Sequence, residues 1–148
     1  MLGRAAILEL LPHQGRMCLL ERVLAWDAGS ILCEATPHDA VDHPLRLGGR
    51  LPAVCTVELG LQAMALHGAL LDGRSASPGY VATLRDVRVE LASADDLPGP
   101  LLAGASVLAR DGRALAYGFA VTAGPDRLPV TSGQATVLVP SRSGTSEP

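Results

Sequence analysis

The segment that most constrains the fold is "PAVCTVELGLQAMALHGALL", residues 52–71. Pro52 suits the first turn of a helix, where its missing N–H would lack a partner anyway, and Asp72-Gly73 marks the end. Apolar side chains run almost all round, so one flat neighbour cannot cover this helix and a wrapping one is needed. Within it Glu58 and Gln62 stand four residues apart, one above the other on a single face. A carboxyl group in so apolar a helix demands an explanation.

The rest of the chain supplies the wrapping. Residues 5–11 read as a short helix stopped by Pro12, and His13 falls where it would fix a turn before the first strand. Residues 17–27 and 30–37 read as strands around Ala28-Gly29. Residues 38–51, with Pro44, Gly48 and Gly49, have no period and form a loop. After the helix, 79–91 alternates with Val87, Val89 and Leu91 on one face. Residues 101–124 hold two strand runs joined by Asp111-Gly112, a strong hairpin signal, and 128–140 gives a last strand. A chain of 148 residues fits one domain. We expect that domain over 1–140, followed by a polar, disordered tail over 141–148. Two strands, a long helix and about four strands predict an α+β hotdog fold, an antiparallel sheet wrapped around one central helix. Its usual form is a dimer with the two sheets joined.

Composition narrows the partners. The net charge of −3 argues against nucleic acid, which needs clustered cationic side chains. Cys18, Cys33 and Cys55 contain no C-x-x-C pair, and reduced, buried thiols are the plain expectation. No apolar run free of polar residues reaches the roughly 18 needed to span a bilayer. We expect no membrane span and a cytoplasmic location.

Few residues could carry chemistry. Glu58, if buried without a charged partner, would stay protonated and serve as a general acid; pointing to solvent, it would do nothing. His43 lies in the loop before the helix and could act as a base near neutral pH, or be a surface histidine. Backbone N–H groups at the helix start, near Ala53, Val54 and Cys55, could polarise a carbonyl oxygen, as any helix start could. The sequence has no G-x-S-x-G, Walker, G-x-G-x-x-G or H-E-x-x-H motif, and no zinc-type spacing.

Two stretches carry a family likeness. "LPHQGRMCLLERV" (11–23) resembles the opening L-P-H-R-x-P-[FM]-L-L-[VL]-[DE]-R-V of the hotdog-fold 3-hydroxyacyl-[acyl-carrier-protein] dehydratases. "PAVCTVELGLQAMA" (52–65) resembles their P-G-V-L-x-[VI]-E-A-x-A-Q-x-x, with Pro52, Glu58 and Gln62 in register. H-P-L-R, G-R-L and Q-A-M-A-x-H-G are similar to the divergent dehydratases of aryl-polyene-type pigment gene clusters. The likeness implies dehydration of a (3R)-3-hydroxyacyl thioester on acyl carrier protein to the trans-2-enoyl thioester, in fatty-acid or polyene-type biosynthesis. It implies His43 as base, Glu58 as acid, and Gln62, Pro52, Ala53 and Val54 at the substrate, without metal or cofactor. In place of the family's G-H-F-P-G stands "DHPLRLGGRLP", so His43 is the match, fifteen residues before Glu58 and one more than usual. Ala53 replaces the family's glycine. The implied assembly is a homodimer, or a dimer of dimers, with histidine and carboxyl group from opposite subunits. A hotdog thioesterase using Glu58 to activate water and a non-catalytic acyl-binding partner subunit are the alternatives.

Overall fold

The computed structural model describes residues 2–12, 15–73 and 80–138. His13, the end of the last expected strand and the tail at 141–148 lie outside them. The elements are α1 (Arg4–Leu10), a 3-10 turn (Gly15–Met17), β1 (Leu20–Trp26), β2 (Ser30–Ala35), a 3-10 turn (Ala53–Thr56) running into α2 (Val57–Asp72), β3 (Tyr80–Val89), β4 (Leu101–Asp111), β5 (Ala114–Ala123) and β6 (Leu128–Leu138). All six strands form one antiparallel sheet in the order β1-β2-β4-β5-β6-β3. This is the expected hotdog arrangement, with α2 lying across β2, β4 and β5.

Local chemistry sets the corners. Asp27 Oδ1 accepts the N–H groups of Gly29 and Ser30 at 2.8 and 2.9 Å, closing the β1–β2 turn through its side chain. The Gly29 N–H, the larger influence, and that of Ser30 lower the Asp27 pKa. Gly112 takes a φ of 59° in the β4–β5 hairpin, a conformation glycine adopts without a Cβ clash. α2 ends on Gly73 at φ 72°, whose N–H returns to Ala69 O at 2.9 Å.

The core lies between α2 and the inner face of the sheet. Tyr117, Phe119, Val121 and Ala123 alternate inward along β5 and are buried. Gly60 lets α2 approach closely, because a Cβ there would overlap the Phe119 ring. His67 is fully buried on the same helix and bonds Tyr117 Oη through Nδ1 and Asp27 O through Nε2, each at 2.8 Å. Among the described residues, Ala53–Asp72 is the one helix long and apolar enough to cross a membrane, yet more than half of it is buried inside the fold. Cys18 and Cys33 are buried as expected, while Cys55 is only half-buried; burial pushes the Cys33 thiol up to about 12.

Candidate active site

The carboxyl face of α2 is built by Gln62. This side chain is fully buried. Its Oε1 accepts the Leu19 N–H at 2.9 Å, and its Nε2 donates to Met17 O at 2.9 Å and to Glu58 Oε2 at 3.2 Å. Its amide ties the segment before β1 to the half-buried Glu58 and orients that carboxyl. Glu58 sits in the first turn of α2, one helical turn before Gln62.

The helix start differs from expectation as well. Its first turn is 3-10, and the Ala53 N–H donates to Ala92 O at 3.0 Å while the Cys55 N–H donates to Pro52 O at 3.0 Å. Ala53 is wholly buried. Neither amide is offered outward: the segment after β3 pairs with the helix entry and takes the Ala53 N–H, as the bridge from Pro52 to Ser93 also shows, and the 3-10 turn itself takes the Cys55 N–H. Pro52 has no N–H to give. Val54 is the exposed residue of the three, at 52%.

His43 is buried, at 8% exposure, in the loop between β2 and α2. Its Nδ1 accepts the Leu45 N–H at 3.2 Å. Burial first, then the neighbouring Arg46 and His38, lower its pKa, with Asp42 pulling the other way. His38 is also buried and is anchored by an Nε2 bond to Leu97 O at 2.9 Å.

Sequence reasoning missed the clamp behind this loop. Arg46 donates through Nε to Ala40 O at 2.8 Å, through Nη2 to His38 O at 2.9 Å and through Nη1 to Gly49 O at 3.1 Å, and it pairs with Asp95. Asp95 Oδ2 accepts the Ser93 hydroxyl at 2.7 Å and the Leu51 N–H at 3.2 Å. The Ser93 hydroxyl, and next the Arg46 guanidinium, hold the Asp95 carboxyl down to about 2. One guanidinium fork thus fixes both the His43 loop and the entry to α2. Arg46→Ala should lower turnover by about 10²-fold through misplacement of His43, together with the melting temperature. Arg46→Lys, which keeps the charge but not the fork, should recover only part of either in steady-state kinetics and thermal melts.

The segment before β1 contacts both regions. Arg16 pairs with Asp42 Oδ2 at 3.1 Å beside His43, and Met17 and Leu19 bond Gln62 behind Glu58. A cleft of about 810 Å³ crosses Ser106, Gly118, Ala120 and Ser132, on the outer face of the sheet, and contains neither Glu58 nor His43. Trp26, Asp27, Asp86 and Arg88 also line it.

No curated protein sequence matches the chain. The solved dehydratase heterocomplex ApeI:P from Xenorhabdus doucetiae superposes with a TM-score of 0.77 at 20% identity, covering 95% of this chain and 94% of that one. A thioesterase mutant from Staphylococcus aureus subsp. aureus Mu50 matches at a TM-score of 0.60 and 18% identity, over 80% of this chain and 92% of that one. A hypothetical thioesterase with coenzyme A from Streptococcus pneumoniae TIGR4 matches at 0.61 and 13% identity, over 81% and 85%. At such identities these structures speak for the fold alone. The family model ApeP dehydratase matches residues 5–143, nearly the whole length, and the chain belongs to the ApeP-like dehydratase family.

Proposed function

We propose that this protein dehydrates a (3R)-3-hydroxyacyl thioester, carried on acyl carrier protein, to the trans-2-enoyl thioester. The observation that carries the reading is the buried Gln62 amide holding Glu58 at the start of α2, in a chain of a dehydratase family. Dehydration needs one site for the C2 proton and one donor for the departing C3 hydroxyl, and His43 and Glu58 are the pair. The likeness implied His43 as base and Glu58 as acid. Val54, exposed at the helix start, is the residue placed to meet the thioester, with Pro52 and Ala53 shaping its approach. The reaction asks for neither metal nor cofactor. Fatty-acid or polyene-type biosynthesis is the setting, and the cytoplasm the compartment, that fits a carrier-bound substrate.

A second subunit completes the site in this reading. β3 is an edge strand paired with β6 alone, and Val81, Leu84, Val87 and Val89 on it are exposed. Such an apolar edge is a template for another strand, which supports a homodimer, or a dimer of dimers, with joined sheets. The ApeI:P structure is titled a heterocomplex, and a related dehydratase subunit is the second occupant that this name supports for the same edge.

The test is incubation with a 3-hydroxyacyl thioester, following enoyl absorbance and free thiol together. Enoyl absorbance without thiol is the expected result. Thiol release would favour the thioesterase, and neither signal would favour a non-catalytic acyl-binding subunit.

A further inference from the structure

The loop that carries His43 is held from both sides by one turn of the chain. Ala94 to Leu97 form that turn, closed by the Leu97 N–H on Ala94 O at 3.2 Å. On one side stands Arg46, three residues after His43, whose guanidinium ends on Asp95. On the other stands His38, five residues before His43, whose Nε2 bonds Leu97 O at 2.9 Å. A carbonyl oxygen only accepts, so Nε2 of His38 carries a proton and donates it. Between these two pins the His43 N–H donates to Ala40 O at 3.2 Å, and His43 O accepts the Arg46 N–H at 3.0 Å. Arg46 Nη2 donates to His38 O, which joins one pin to the other. The His38 ring is 5% exposed, and a hydrogen bond so buried is stronger than one in water.

We propose that His38 is a positioning residue for His43: its Nε2–H on Leu97 O holds the leading arm of the histidine loop, as Arg46 on Asp95 holds the trailing arm. This rests on the dehydratase reading, in which His43 is the base. Without the His38 bond, the side chains left to tie the loop to neighbouring segments are Arg46 and the exposed Arg16 on Asp42. A reacting group displaced by about 1 Å can lose roughly 10²-fold in rate. His38 also acts on His43 in a way that a purely structural pin would not. It is among the neighbours that lower the His43 pKa, after burial and Arg46 and against Asp42. Arg46 is paired with Asp95 and Asp42 with Arg16, while exposed Asp39 and Asp96 adjoin His38 and Leu97 in the chain. A base works when neutral, so a lowered pKa extends turnover to lower pH. Removing the His38 imidazole therefore moves the acid limb of the rate profile to higher pH.

The test compares His38→Gln with His38→Asn in the whole chain. The Gln amide reaches about as far as Nε2 and can keep the bond to Leu97 O, whereas the Asn amide stops short of it. His38→Asn should lose about 10- to 10²-fold in kcat with little change in KM. His38→Gln should recover to within about threefold of wild type, with the acid limb of kcat/KM moved to higher pH. The His43 titration followed by NMR, with the signal assigned from His43→Gln, should move to higher pH in His38→Gln as well. Wild-type kcat in His38→Asn, a His38→Gln as slow as His38→Asn, or a His43 titration that stays in place in His38→Gln overturns the proposal. Wild-type protein that forms no enoyl thioester overturns the dehydratase reading instead, and the His43 titration is read without turnover.

Discussion

Glu58→Gln should reduce turnover by at least about 10³-fold while leaving a folded protein, since general acid–base groups supply 10²–10⁴ of the rate. The substituted amide keeps the size of the carboxyl group and an oxygen to accept the Gln62 Nε2–H, so the link from α2 to Met17 and Leu19 survives. It cannot deliver a proton to the departing C3 hydroxyl. The melting temperature should therefore stay close to wild type, and the loss should fall on kcat, because the group acts in the transition state. Single-turnover kinetics with a 3-hydroxyacyl thioester checks this. Near wild-type turnover would remove Glu58 from the chemistry.

The largest expected effect on stability lies at the other end of α2. His67→Ala deletes a fully buried ring that bridges Tyr117 on β5 and Asp27 at the end of β1. Trp26 and Tyr117 both pack edge-on against that ring, with centroids at 6.5 and 5.7 Å. The substitution leaves a cavity and strands a buried phenol, a combination worth roughly 3–5 kcal/mol. For a domain of this size that is a fall of roughly 10 °C or more in thermal unfolding. Burial already pushes the Tyr117 hydroxyl up to about 12, so it cannot escape the loss by ionising. His67→Gln, which fills more of the space and can renew one bond, should fall between the two.

The architecture was readable because its signals are local. The apolar run between Pro52 and Asp72-Gly73 coincides with α2 and its 3-10 entry, Ala28-Gly29 and Asp111-Gly112 mark two of the tight turns, and Val87 and Val89 alternate on β3. The residues that furnish the site were less legible, because their roles are set by contacts across the chain. Nothing near Ala53 announces that Ala92 will take its amide. Glu58 and Gln62 show their shared face at a spacing of four, but the partners that turn Gln62 inward, Met17 and Leu19, lie more than forty residues away. Arg46 stood in the H-P-L-R stretch without a role, since its partner Asp95 is forty-nine positions later. An arginine in a loop with no periodicity of its own was the available signal. The bond from the Leu45 N–H to His43 Nδ1 depends on the course of the loop backbone, which no sequence pattern encodes.

The central claim is that this chain removes water from a 3-hydroxyacyl thioester and leaves the thioester whole. Intact-mass analysis of acyl carrier protein loaded with the 3-hydroxyacyl group, incubated with this protein and separately with Glu58→Gln, reads that directly. The account predicts a loaded carrier lighter by one water with the wild-type protein, and an unchanged mass with Glu58→Gln. Carrier stripped of its acyl group, or a loss of water that Glu58→Gln performs equally well, would contradict it.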